Sequence, residues 1–331
     1  MRTLLQSTNA YKLLLNERQE NRLNHAYLIL LDDPRSLRAV LTEFALVFFG
    51  CDSENEGGRY ERTAELIKKE SFADCLFYPK GDKKFVVSDI DEIKEESSLN
   101  PVEGDKKLFV IGDFSELGVA QQNKLLKLLE EPPKSVYFLL GATTSYSILQ
   151  TVLSRVKKLE IPPFSEREIE QFLLRNYENE ELSREKLAFY SATANGWVGN
   201  AQNALEGGYF DELCEDCFSL CLNENTLPVL AKKLGESKRK KELLSFLRLI
   251  FRDASFLVSG LPANTLLLRS QVEKIKKVAG RYELNALIYA QTVLTEAEKQ
   301  VKFNTNFAQC LEICFEKIRN AKLYQSKYSN E

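Results

Sequence analysis

From residue 26 to about residue 161 the chain alternates two kinds of hydrophobic pattern. Short, continuous apolar runs lie at 26–31, 75–78, 85–87, 108–111, 136–140 and 156–161. Between several of them are amphipathic stretches, at 35–49, 89–98, 117–131 and 145–154. Alternating strand and helix signals predict a parallel sheet covered by helices. Strands that are apolar without alternation predict a sheet buried on both faces.

Beyond the "IPPF" of 161–164 the strand signal fades. Ser165 followed by Glu168 is a capping-box start for a helix through Tyr177. Ser183 opens another helix, "ANGWVGN" separates it from 201–206, and "GGYF" marks a second joint. From 211 onward the periodicity is nearly all helical, over 211–222, 226–234, 238–256, 266–279, 284–302 and 306–322. The expectation is an α/β domain over 1–163, a small helical domain over 164–208 and an all-α domain over 209–331, ending in "LYQSKYSNE" as a frayed tail.

Composition narrows the function. The 331 residues carry a formal net charge of −3, which argues against a strongly basic nucleic-acid binder. No apolar run approaches the ~18–20 residues of a membrane span, so no membrane partner is expected. The N-terminal "MRTLLQSTNAYKLLLNERQENR" lacks a signal-peptide core. Seven cysteines, an odd number without an export signal, are expected as reduced thiols in the cytoplasm.

The most specific block runs from Lys107 to Ser165, "KLFVIGDFSELGVAQQNKLLKLLEEPPKSVYFLLGATTSYSILQTVLSRVKKLEIPPFS". Read from the residues alone, Leu125, Leu126, Leu128 and Leu129 make one apolar helix face and Pro132 and Pro133 end the helix. The block, with "RLNHAYLI", "SFADCLFYPKG" and "DIDEIKEESSLNPVEGDKKLFVIGD" upstream, resembles the bacterial DNA polymerase III clamp-loader subunits of the AAA+ family, and among them the delta-prime branch. "FNTNFAQCLEICFEKI" near the C-terminus resembles the last helix of that family's collar. The resemblance implies an α/β AAA+ domain followed by a helical lid and a helical collar.

It also implies where an ATP site would lie. A phosphate loop needs G-x-x-x-x-G-K-[S/T], so that backbone N–H groups and a lysine converge on phosphate. At that place the chain reads Asp32, Asp33, Pro34, Arg35, Ser36. Two carboxylates stand where a triphosphate would sit, and Arg35, Ser36 and Arg38 are weak substitutes. Asp33 next to Pro34 reads as the cap of the following helix. Hydrolysis further needs an Asp for Mg²⁺ with a neighbouring Glu for water. Here Asp113 stands between Gly112 and Phe114, and Glu116 is three residues on. Thr143 or Thr144 is left as a sensor, whereas Asn200 replaces the lid arginine. The expectation is no bound ATP and no autonomous ATPase.

Arg155, in "LSRV", resembles the S-R-C arginine finger that reaches a neighbour's ATP site; a planar, always-charged fork suits a transferring phosphoryl group. On the residues alone it is a surface arginine at a helix end. Cys51 lies where relatives begin a four-cysteine zinc module, but 52–74 hold no cysteine, and no zinc is expected. Cys214, Cys217 and Cys221, like Cys310 and Cys314, have the spacing of one helix face and read as buried thiols. His25, the single histidine, reads as structural. "ESKRKKELL" (236–244) reads as a solvated helix face.

The resemblance therefore implies a non-catalytic subunit of the DNA polymerase III holoenzyme, a stator in a hetero-oligomeric clamp loader. Its partners would be the tau/gamma motor and delta subunits, and through them the sliding clamp and primed DNA. Two alternatives are a divergent tau/gamma-like ATPase and an AAA+-derived DNA-binding adaptor outside the replisome.

Overall fold

A computed structural model describes residues 1–51, 58–81, 83–177, 183–237, 239–301 and 306–321. The tail "LYQSKYSNE" and Lys238 of the basic stretch lie outside the described residues.

Helices α1 (Arg2–Leu5) and α2 (Asn9–Gln19) precede β1 (Ala26–Leu30). There follow α3 (Pro34–Phe48), α4 (Arg59–Lys68), β2 (Cys75–Tyr78), α5 (Val87–Ser97), β3 (Lys107–Ile111), α6 (Val119–Glu130), β4 (Val136–Ala142), α7 (Gln150–Leu153) and β5 (Lys157–Glu160). The rest is helical: α8 (Glu166–Asn176), α9 (Arg184–Thr193), α10 (Val198–Glu206), α11 (Phe210–Leu222), α12 (Leu227–Gly235), α13 (Lys240–Val258), α14 (Val272–Arg281), α15 (Leu284–Val301) and α16 (Phe307–Arg319). The chain divides into two compact units, Met1–Phe164 with Trp197–Gly199, and Ser165–Gly196 with Asn200–Glu331.

In the first unit the five strands form one parallel sheet in the order β2-β3-β4-β1-β5. β3 is buried at every position and β1 and β4 nearly so, which is why 26–30, 108–111 and 136–140 are apolar runs; the buried Lys107 that opens β3 is paired, its Nζ donating to Glu96 Oε2 at 3.0 Å. Phe109 stacks on Phe138 at 5.5 Å and on Tyr78 at 6.4 Å, inside a core that also takes Leu125 and Leu129 of α6. Burying each such side chain contributes roughly 1.5–3 kcal/mol. Helix α3 lies on β4 at Gly141, where a Cβ would sit 2.7 Å from Leu41 Cδ1 and 3.1 Å from Leu37 Cδ1. The register pairs Ile111 with Leu140 and Leu30 with Ala142. The residues that follow β1, β3 and β4 therefore emerge side by side at the carboxyl edge of the sheet, where α/β proteins place ligands.

Three expectations change, and one helix is added. Residues 85–87 are not a strand: Asp89 Oδ2 accepts the Val86 N–H at 2.7 Å, and helix α5 starts at Val87. Of 145–154 only Gln150–Leu153 is helical. The Thr144 hydroxyl accepts the Tyr146 N–H, and Ser147 Oγ donates to the Ser115 carbonyl, so side chains hold this backbone out of a helix. The helix expected over 266–279 begins at Val272, because the buried Asp253 of α13 accepts the Leu267 and Leu268 N–H groups at 2.9 and 2.8 Å. Helix α4 had no expectation; among its described side chains only Thr63 and Ile67 are buried.

In the second unit α13 packs along α15, α14 and α9. Phe189, Phe210 and Phe246 meet edge to face at 5.0–5.6 Å. Ser165 caps α8, accepting the Glu168 N–H while Glu168 accepts the Ser165 N–H. Among the described residues no helix is long and apolar enough to cross a membrane.

Candidate nucleotide site and arginine finger

The turn after β1 is built around one carboxylate. Asp33 is 3% exposed. Its Oδ1 accepts the Ser36 N–H at 3.2 Å, so it caps α3, with Pro34 at the first helical position. Its Oδ2 accepts the Gly199 N–H at 2.8 Å. A Cβ at residue 199 would sit 2.1 Å from Asp33 Oδ1 and 2.8 Å from Arg35 Cβ, so this approach requires glycine. A helix start normally offers its N–H groups to an anion. Here the Ser36 N–H is already taken by the chain's own anion. The Ser36 hydroxyl is buried without a partner, and Asp32 is exposed. Arg38 is turned to Glu70, with Nε–Oε1 at 2.6 Å and Nη2–Oε2 at 2.5 Å, and to the Tyr78 and Pro79 carbonyls.

At the end of β3 the Asp113 carboxylate is saturated from within. It accepts from the Ser115 N–H at 3.1 Å, the Ser115 hydroxyl, the Thr143 N–H at 3.3 Å and the Thr143 hydroxyl at 3.1 Å. Thr143, the sensor candidate, is thus bound to the acid it would have to work beside. Phe114 is buried in the core and Glu116 is exposed. The buried amide of Gln122 ties this region together: Nε2 donates to the Leu117 and Ser147 carbonyls, and Oε1 accepts the Leu149 N–H, each at 2.9 Å. In the second unit Asn200 Nδ2 donates to the Ala194 carbonyl at 3.1 Å.

ATP with its Mg²⁺, which the AAA+ fold implies, meets a poor donor set here. The turn presents a buried carboxylate in place of N–H groups and a lysine, and the metal-site acid has four internal donors.

Arg155 follows α7, after the cap residue Ser154. Its Nη1 donates to the Thr151 carbonyl at 2.6 Å and to Ser154 Oγ at 3.2 Å. Its Nη2 lies 2.5 Å from Glu130 Oε1. The role of Glu130 was not visible in the sequence; its one signal is a carboxylate at the end of a helix, where the dipole disfavours it.

The other candidates are structural in their surroundings. His25 Nε2 meets the Leu129 carbonyl at 3.0 Å. Cys214, Cys217 and Cys221 are buried on α11; burial pushes the Cys214 thiol up to about 12 and the Cys217 thiol well above its ordinary range. Such thiols stay protonated, whereas metals take thiolates. Among the described residues no three His, Cys, Asp or Glu side chains are placed to hold a metal ion. Arg239 lies 3.8 Å over the Tyr209 ring and Lys240 5.7 Å over Phe307.

A parallel β2-β3-β4-β1-β5 sheet with a loop-to-helix turn after β1, an acid after β3 and a threonine after β4, followed by a helical region, is the layout expected of an AAA+ domain with a helical C-terminal part. The family described as "DNA polymerase III, delta subunit" matches residues 6–165. The DNA polymerase III subunit delta' of Bacillus subtilis is 24% identical over 316 residues, 91% of this chain and 92% of that protein. The delta' subunit of Haemophilus influenzae is 32% identical over 119 residues, 35% of this chain and 32% of that one. The DNA polymerase III subunit gamma of Buchnera aphidicola subsp. Acyrthosiphon pisum is 30% identical over 131 residues, 38% of this chain and 36% of that one. The chain is thus similar to DNA polymerase III delta' subunits, along nearly its whole length to that of Bacillus subtilis.

Proposed function

We propose that the chain is a delta-prime-type component of a replicative clamp loader, that it binds and hydrolyses no ATP itself, and that it offers Arg155 to the ATP site of a neighbouring motor subunit. Likeness to a delta' subunit along nearly the whole of both chains supports the subunit type. One observation carries the non-catalytic part: Asp33, at the phosphate-loop position, spends its carboxylate on the Ser36 and Gly199 N–H groups. In this reading 164–208 serve as the lid and 209–331 as the collar. The partners are tau/gamma and delta subunits, with the sliding clamp and primed DNA reached through the complex, in the cytoplasm.

A motor-like reading draws on the 30% identity to a gamma subunit over 131 residues. It requires a triphosphate to displace Asp33 without help from a lysine.

The test is reconstitution with the tau/gamma motor of the same cells. Arg155→Ala should leave assembly intact and reduce hydrolysis at one site, on the order of 10³-fold there and less in total. An unchanged total rate removes the finger role, and failure to co-purify with the motor removes the clamp-loader role.

A further inference from the structure

Glu130 and Glu131 stand at the C-terminal end of α6, ahead of Pro132 and Pro133. A helix C-terminus carries partial negative charge, so carboxylates there oppose their own helix. The stability of α6 does not explain them. Glu130 instead meets Arg155 Nη2, at 2.5 Å. The same guanidinium closes a second helix end through the Thr151 carbonyl, the i−4 carbonyl of the last turn of α7.

An arginine fork has five N–H donors in one plane. Thr151, Ser154 and Glu130 take three of them, from two elements. Among the described residues the guanidinium has no other acceptor, and two donors are left for a further anion.

We propose that Glu130 is a positioning residue for Arg155: it fixes the guanidinium plane so that the remaining donors are presented to phosphate oxygens of a neighbouring subunit's nucleotide. This rests on the reading of Arg155 as a finger in trans. The two side chains are 33% and 43% exposed, so the contact acts by direction more than by strength. A free arginine side chain loses much rotamer freedom when it is fixed. Fixing it before assembly removes that loss from the step at which the phosphates are met.

The test compares Glu130→Ala, Glu130→Gln, Arg155→Ala and the double variant Glu130→Ala/Arg155→Ala in the complex reconstituted with its motor subunit. In parallel, the Arg155 Nε–Hε resonance is followed by NMR in the free full-length chain. Glu130→Ala should lower kcat at the affected site about fivefold, with KM for ATP unchanged. Glu130→Gln should recover part of the rate, because its amide oxygen still accepts a hydrogen bond. The double variant should be no slower than Arg155→Ala alone. The resonance, sharp in the unaltered chain, should broaden in Glu130→Ala.

A rate lowered by Arg155→Ala but untouched by Glu130→Ala overturns the role of Glu130 and leaves the finger standing. A further loss in the double variant overturns it too, because the effect would not run through Arg155. An unchanged resonance overturns the positioning contact itself. If Arg155→Ala leaves the rate unchanged, the finger reading fails, and the proposal with it.

Discussion

Asp33 and Gly199 are 166 residues apart in sequence and are joined by one hydrogen bond, from the Gly199 N–H to the Asp33 carboxylate at 2.8 Å. The carboxylate bonds at the same time to the Ser36 N–H at the start of α3. It thus does locally what a bound phosphate does at a helix start. The carboxylate belongs to the chain itself.

Asp33→Ala should therefore lower stability by about 1–3 kcal/mol, the loss of a cap together with a buried bond. Gly199→Ala should lower it by about 1–3 kcal/mol through overpacking against Asp33 and Arg35. The losses in the double variant should not add, because both act at one contact. Urea unfolding of the four proteins measures this, and additive losses would show the two residues to be uncoupled.

Asp113 separates a structural acid from a catalytic one. Asp113→Asn should leave the ATPase of the reconstituted complex unchanged. Asp113→Ala, which removes the acceptor of the Ser115 and Thr143 bonds, should cost about 2–3 kcal/mol of stability. A complex whose hydrolysis collapses with Asp113→Asn would mean that this carboxylate works on a metal.

Asp253 gives a pH signature. Burial raises its pKa above the ordinary carboxylate range, against the lowering effect of the Leu268 and Leu267 N–H bonds and Arg252. Between the ordinary range and the raised folded value the native state holds a proton that the unfolded chain has lost. Stability contributed by this group is complete below the ordinary range and is lost as pH rises through the folded pKa. The urea midpoint should therefore fall more steeply with pH across that window in the unaltered chain than in Asp253→Asn. Equal slopes would place the titration elsewhere.

The thiols of α11 should resist reagents. Buried and held protonated, Cys214, Cys217 and Cys221 should be unreactive toward Ellman's reagent in the native chain and fully reactive in denaturant. A chelator should leave the unfolding midpoint unchanged. Stoichiometric zinc, with a midpoint that drops when it is removed, would contradict the reading of these cysteines as core residues.

How much was legible depends on the range of the interaction concerned. β1, β3 and β4 are readable because strands buried on both faces show unbroken apolar runs. The cap of α3 is readable because Asp33 and Pro34 act on the next few residues. The run at 85–87 misleads, since three apolar residues weigh less than one aspartate capping the following helix. Helix α4 is silent because, of its described side chains, Thr63 and Ile67 alone are fully buried. The partners of Asp33 and Arg155 are out of reach of any local pattern: Gly199 lies 166 residues away, and Glu130 belongs to a different helix. The "GWVGN" turn and the "EEPP" helix end were visible as motifs, but only the fold shows what they touch.

The turn after β1, filled by the Asp33 carboxylate, should admit no triphosphate. The direct measurement is a calorimetric titration of the full-length chain with ATP in the presence and absence of Mg²⁺. No saturable binding is expected up to about 1 mM, an affinity weaker than about −4 kcal/mol. Saturable, Mg²⁺-dependent binding at micromolar ATP would contradict it.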